Sequence, residues 1–122
     1  MTELHPSPLV AVVDDDPGIR GSLNSLLRSA GLASELFDSA EALLAGDPAR
    51  FDWIVTDLHM PGMTGLELQA EIGRLGCDCA MIVMTAFPTP ASQSQALGAG
   101  AKAFLTKPID PDLLLDAIEG AA

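Results

Sequence analysis

The sequence predicts an α/β fold, a five-stranded parallel sheet with helices on both faces, and three observations predict it. Short apolar runs rich in β-branched residues, such as Leu9 to Val13 (LVAVV), alternate with segments of helical period. That alternation recurs five times along the chain. The strongest runs are apolar throughout, which suits strands covered on both sides better than strands open to water on one.

The first run ends abruptly in Asp14, Asp15 and Asp16. Pro17 suits a first helical turn, where its missing N–H costs nothing, and Asp16 before it can cap. Ile19, Leu23, Leu26, Leu27 and Ala30 then recur at helical spacing, and Gly31 supplies a stop. Ala33 to Phe37 reads as a weaker second strand. Ser39 opens a short helix through Leu43 and Leu44, which Asp47-Pro48 breaks. Trp53 to Thr56 is a strong third strand ending at Asp57. A loop from Leu58 to Met63 leads into a helix from about Thr64 to Leu75, with Leu68, Ile72 and Leu75 as its inner stripe. Ala80 to Met84 is the fourth strand, followed by Thr85. Pro88 and Pro90 punctuate the next loop. The helix after it, near Ala91 to Leu97, is polar and is expected to be short, shifted or mobile. Ala101 to Leu105 is the fifth strand, Thr106-Lys107-Pro108 a turn, and Asp110 the opening of a last helix carrying Leu113, Leu114, Ala117 and Ile118. One domain is expected over residues 9–119, between a flexible arm of residues 1–8 (which holds His5) and a tail of residues 120–122.

Composition fits that plan and removes several function classes. The 122 residues are 48% hydrophobic and 19% charged, enough for one domain with a real core and too apolar for disorder. Six basic against 17 acidic residues give a net charge of -11. A chain so acidic offers no surface for direct nucleic-acid binding or for an anionic membrane, whereas a metal ion or a basic protein patch would suit it. Cys77 and Cys79 are too few for a structural zinc site and too close for an easy mutual disulfide. Free thiols, no basic leader among the first ten residues and no run of apolar residues long enough to span a bilayer point to the cytoplasm.

Sheets of this class place their chemistry at the carboxyl ends of the strands, where the strand order reverses. Asp14 to Asp16, Asp57, Thr85 and Lys107 all fall at such ends. Two carboxylates 4 Å apart repel by roughly 4 kcal/mol at an effective dielectric near 20. A cluster of them must protonate, face solvent or hold a cation, and hard oxygen ligands of this kind suit Mg2+. The plain alternative is that DDDP is a helix-capping acidic turn. Lys107 can pair with Asp57 and with a phosphoryl oxygen, or stand solvated in its turn. Thr85 can donate a hydroxyl hydrogen bond to the same oxygen, or simply end a strand. Taken together, a carboxylate nucleophile, a divalent metal, a hydroxyl and an ammonium are the parts needed to accept a phosphoryl group onto Asp57.

Asp14-Asp15 after VAVV, the stretch from Asp57 through Met60-Pro61 to Gly65, Met84-Thr85-Ala86 and Lys107-Pro108 together resemble the receiver domain of two-component response regulators. The likeness runs from about Leu9 to Ile118. FLTKP after GAKA looks like the receivers of helix-turn-helix transcriptional regulators. The resemblance implies a flavodoxin-like fold with strand order 2-1-3-4-5. It implies that Asp57 is the phospho-acceptor and that Asp15 ligates Mg2+ directly, with Asp14 acting mainly through water. Asp57 and the backbone carbonyl of His59 would complete the protein's ligands. Thr85 would be the switch hydroxyl, Lys107 the phosphate-contacting lysine, and Phe104 the aromatic that follows the switch. Pro108 would follow a cis peptide bond, and Ala86 would leave room for the phosphoryl donor.

The implied partners are a sensor histidine kinase, a second receiver in a homodimer, and a DNA-binding output domain for which this chain has no spare residues. Phosphorylation would change a partner surface near the fourth helix and fifth strand, and so regulate transcription. Two rivals stand beside this reading. One is an aspartyl-nucleophile phosphatase built on the Asp14/Asp16 spacing, which leaves Asp57 and the MPGMTG loop unexplained. The other is a binding module of the same fold that never carries phosphate.

Overall fold

The computed structural model describes residues 8–120, so His5 and most of the expected arm, with the last two residues of the expected tail, lie outside the described residues. Five strands form one parallel sheet in the order β2-β1-β3-β4-β5: β1 (Leu9–Val13), β2 (Ala33–Phe37), β3 (Trp53–Asp57), β4 (Ala80–Thr85) and β5 (Ala103–Thr106). Helices α1 (Pro17–Ser29), α2 (Ala40–Leu44), α3 (Gly65–Arg74), α4 (Pro90–Gly98) and α5 (Pro111–Glu119) connect and follow them, with a 3-10 turn at Pro48–Arg50. The strand pattern predicts the parallel sheet with helices on both faces, and the resemblance implies this flavodoxin-like strand order.

The three central strands are nearly continuous in burial, which is why they read as unbroken apolar runs. Their side chains alternate between two cores. Val10, Val12, Val55, Ile82 and Met84 pack against Leu23 and Leu27 of α1 and Leu114 and Ile118 of α5. Ala11, Val13, Ile54 and Met81 pack on the other face against Ala40 and Leu43 of α2 and Leu68 and Ile72 of α3. Ala96 of α4 meets Val83 and Leu58 on that second face. Trp53 is buried on the α1/α5 side.

Local signals set the boundaries. The Asp16 carboxylate accepts from the Gly18 and Ile19 N–H groups at 2.8 and 3.3 Å, capping α1 directly before Pro17. The Ser39 hydroxyl accepts from Ala42 N–H and caps α2. Thr64 and Glu67 form a reciprocal capping box on α3.

Four details differ from the sequence pattern. Leu75 does not extend the inner stripe of α3; it is the C-cap and 48% exposed, because the chain turns at Gly76. Leu113 is 55% exposed on α5, whose inward face is carried by Leu114 and Ile118. β5 starts at Ala103, two residues late, because the Ala101 N–H is used to close α4 on the Ala96 carbonyl. The proline-rich segment forms a nine-residue helix: Pro90 takes its first turn, and Thr89 and Ser92 cap reciprocally. Among the described residues no helix is long and apolar enough to cross a membrane.

Candidate functional site

Three strand ends bring the acids together. Asp14 follows β1 directly and is anchored by its N–H to the Phe37 carbonyl at 3.1 Å. Asp57 is the last residue of β3, and the next residue, Leu58, donates to the Met84 carbonyl of β4 at 2.8 Å. The Lys107 N–H donates to the Thr85 carbonyl at 2.8 Å, which carries the lysine from the end of β5 back over the sheet. The Lys107–Pro108 peptide bond is cis.

Carboxylate oxygens of Asp14, Asp15 and Asp57 lie within 4.8 Å of one another. Asp14 is fully buried and Asp57 nearly so, while Asp15 is exposed. Lys107 Nζ stands 2.7 Å from Asp14 Oδ2 and 3.3 Å from Asp57 Oδ1. Asp14 Oδ1 accepts from the Asp16 N–H at 2.9 Å. Burial, and then the charge of Asp14, push the Asp57 carboxyl above the usual aspartate range. Lys107 and the His59 N–H offset this only in part. Burial alone would lower the Lys107 ammonium, but its hydrogen bond to Asp14 and the charges of Asp14 and Asp57 hold it above the ordinary lysine value.

These residues line a cavity of about 230 Å³ with Asp16, His59, Ala86 and Phe87. His59 is exposed, and its ring meets Phe87 edge-on at 6.2 Å between centroids. Thr85 is fully buried beside the cavity, and its hydroxyl oxygen accepts from the Phe87 N–H at 3.0 Å. Phe104 is half-buried and packs against the Leu58, Val83 and Ala96 cluster, away from the cavity lining. The donor set, three carboxylates at one point with no sulfur or imidazole in the cluster, fits a hard divalent cation such as Mg2+.

Two contributors escape the sequence pattern. Arg20 reaches back from α1, and its Nη1 donates to the Asp14 carbonyl at 2.7 Å. Gly65 opens α3 so close to the end of β3 that a Cβ there would lie 2.4 Å from the Asp57 carbonyl oxygen and 3.0 Å from Leu58 Cα. A glycine eight residues after the key acid was visible in the sequence; the close approach that demands it was not. Cys77 and Cys79 are free, half-buried and packed in the α2/α3 core. Burial and then the neighbouring Cys77 push the Cys79 thiol up to about 11, as expected of an unreactive packed thiol.

The family described as response regulator receiver domain matches residues 10–119. The chain belongs to that family. It is 42% identical over 113 residues to the transcriptional regulatory protein FixJ of Azorhizobium caulinodans, covering 92% of this chain and 54% of that protein. FixJ of Rhizobium meliloti is 39% identical, with 93% of this chain and 56% of the relative covered. This receiver therefore spans about half the length of those curated relatives. Among solved structures, the response regulator StyR superposes with a TM-score of 0.85 at 40% identity, covering 93% of this chain and 58% of that one. FixJ-N gives a TM-score of 0.84 at 38% identity, covering 93% and 91%. The receiver is accordingly a two-component signalling module related to FixJ, and its acid cluster lies at the sheet end where phospho-acceptor chemistry belongs.

Proposed function

We propose that this receiver takes a phosphoryl group from the phosphohistidine of a sensor kinase onto Asp57 and signals through the resulting change of surface. The observation that carries the reading is the convergence of Asp14, Asp15, Asp57 and Lys107 in one cavity from the ends of β1, β3 and β5. In the transfer, an Asp57 oxygen forms the new bond to phosphorus while the N–P bond of the donor breaks. The departing imidazole keeps the bonding pair and takes a proton.

Asp57 is better suited to attack than Asp14. Both Asp14 oxygens are engaged, one by Lys107 and one by the Asp16 N–H. The Asp57 carboxylate is more basic than an ordinary aspartate because of burial and Asp14. This difference favours the phospho-acceptor over a phosphatase that attacks through Asp14. Asp14, Asp15, Asp57 and the His59 carbonyl would hold Mg2+, which supplies positive charge opposite the developing phosphoryl oxygens. Lys107 contributes a second positive charge from the side of β5, and the small side chain of Ala86 in the cavity lining leaves room for the phosphoryl donor. Thr85 hands its hydroxyl to the phosphoryl oxygens, and Phe104 turns into the space it leaves. The surface of α4 and β5 then serves a second receiver or an output domain that binds DNA. A cytoplasmic location accords with this role.

Incubation with acetyl phosphate and Mg2+, followed by intact-mass measurement and peptide mapping, tests the reading. The expected result is one phosphoryl group mapped to Asp57 and absent in Asp57→Asn. Label on Asp14 would favour the phosphatase, and no label with no Mg2+ binding would favour a phosphate-free binding module.

A further inference from the structure

The loop between β3 and α3 places His59 beside Asp57 in the cavity lining: its N–H favours the charged Asp57 carboxylate, and its carbonyl is the proposed metal ligand. Something must hold residues 59–63 in place for that. Met60 is buried and Met63 half-buried in the α2/α3 core, which pins the loop from below. From outside, Oε2 of Glu41 accepts the Met63 N–H at 2.9 Å across 22 residues of sequence. Among the described residues, it is the one side-chain hydrogen bond that reaches the main chain of residues 59–63 from another element.

The surroundings of that bond fit it closely. Glu41 belongs to α2, whose position is fixed by the Ser39 cap and by the buried side chains of Ala40 and Leu43. Gly62 has φ +79°, and a Cβ there would stand 2.6 Å from Glu41 Oε2. The carboxylate thus occupies the space that a side chain at position 62 would take. A left-handed glycine is what lets the loop turn there and lets Glu41 reach the next amide. Glu41 is itself exposed, so its carboxylate is not needed for the core.

We infer that Glu41 is a positioning residue for the phosphorylation site: it clamps the Gly62–Met63 peptide from α2 and so fixes the His59 main chain beside Asp57. The inference rests on the proposed Mg2+ and phosphoryl chemistry of Asp57, and it adds a residue outside the acid cavity. The clamp acts through a hydrogen-bond acceptor and not through the charge of Glu41, which separates it from a general electrostatic pull on the cation.

Two variants test it, Glu41→Ala and Glu41→Gln. Alanine suits an exposed helical position, so both are expected to fold, with thermal unfolding as the check. In the metal-free protein, Met63 amide exchange should speed up about tenfold in Glu41→Ala and stay within about twofold of the parent in Glu41→Gln. Calorimetric titration should show the Mg2+ dissociation constant rising about tenfold in Glu41→Ala, the lower end of what loss of a supporting partner costs a metal site. Glu41→Gln, which keeps an acceptor oxygen, should remain within about threefold of the parent on the same scale. Unchanged Mg2+ affinity in Glu41→Ala would overturn the clamp while leaving the Asp57 reading intact. Equal loss in both variants would also overturn it, by assigning the effect to charge. A parent protein that neither binds Mg2+ nor accepts phosphoryl would instead remove the underlying reading.

Discussion

Lys107 is held more tightly by Asp14 than by Asp57, at 2.7 Å against 3.3 Å. One ammonium therefore bridges carboxylates from the ends of β1 and β3. On the proposed reading, a phosphoryl group arriving on Asp57 would have to draw that ammonium away from a fully buried partner.

Lys107→Met leaves both carboxylates without their counter-charge. The expected cost in the metal-free protein at pH 7 is about 3 kcal/mol, the lower end for a broken buried pair. Urea unfolding should show the loss shrinking at neutral pH when Mg2+ is added.

The raised Asp57 carboxyl has the opposite sign from a stabilising salt bridge. Between the ordinary value of 3.8 and its higher folded value, the folded protein binds more protons than the unfolded chain. Stability therefore falls as pH rises through that window and stays lower above it. Asp57→Asn removes this penalty. Without metal it should melt a few degrees above the parent at pH 7, with the gain disappearing below pH 3.8. A parent that is as stable as Asp57→Asn at pH 7 would contradict the strained carboxylate. Lys107, also raised, has the same slope with pH but a stabilising contribution: it is complete below 10.5 and is lost as pH climbs through its folded value.

Gly65→Ala drives a Cβ into the Asp57 carbonyl and Leu58. Backbone atoms cannot swing aside as a long side chain can, so the expected cost is about 2–3 kcal/mol, with slower phosphorylation because Asp57 shifts. Gly21→Ala is the matched control. Nothing lies within 4 Å of a Cβ at that exposed position in α1, and alanine should stabilise by about 0.5–1 kcal/mol. Denaturant midpoints of the two variants should move in opposite directions.

Buried Gln69 on α3 donates to the Ala96 carbonyl of α4 at 2.9 Å. Ala96 is the one buried residue of that helix, so this bond is a large part of what seats it. Gln69→Leu should cost about 1 kcal/mol, since the Ala96 carbonyl keeps its bond from Ala101. Hydrogen exchange should quicken along α4 before it does so in α1 or α3.

Much of the fold was legible because its signals are local. Asp16-Pro17, Ser39 and Thr64 cap helices through atoms two or three residues away, and the central strands announce themselves by unbroken apolar content. The acids at the ends of β1 and β3 were legible for the same reason: an apolar run that stops at a carboxylate marks a strand end. What stayed hidden depends on groups distant in sequence. Leu75 and Leu113 fit helical spacing yet face outward, because where α3 ends and how α5 rolls on the sheet are set by packing. Pro88 and Pro90 argued for a short, shifted or mobile helix, but Pro90 falls at the one position where proline helps, Thr89 meets Ser92, and nine residues are helical. The preference of Lys107 for Asp14, the reach of Arg20 and the clamp of Glu41 each join elements that no spacing rule connects.

The bond from the Phe87 amide to the Thr85 hydroxyl oxygen makes the two residues a latch. If the hydroxyl swings toward Asp57, the Phe87 amide loses its acceptor and must find water or a new oxygen. Phe87 is the most exposed large apolar side chain among the described residues, and it leans on His59 at the rim. An event at a buried threonine would thus be announced outside by the release of a single aromatic ring, without any strand of the sheet having to move.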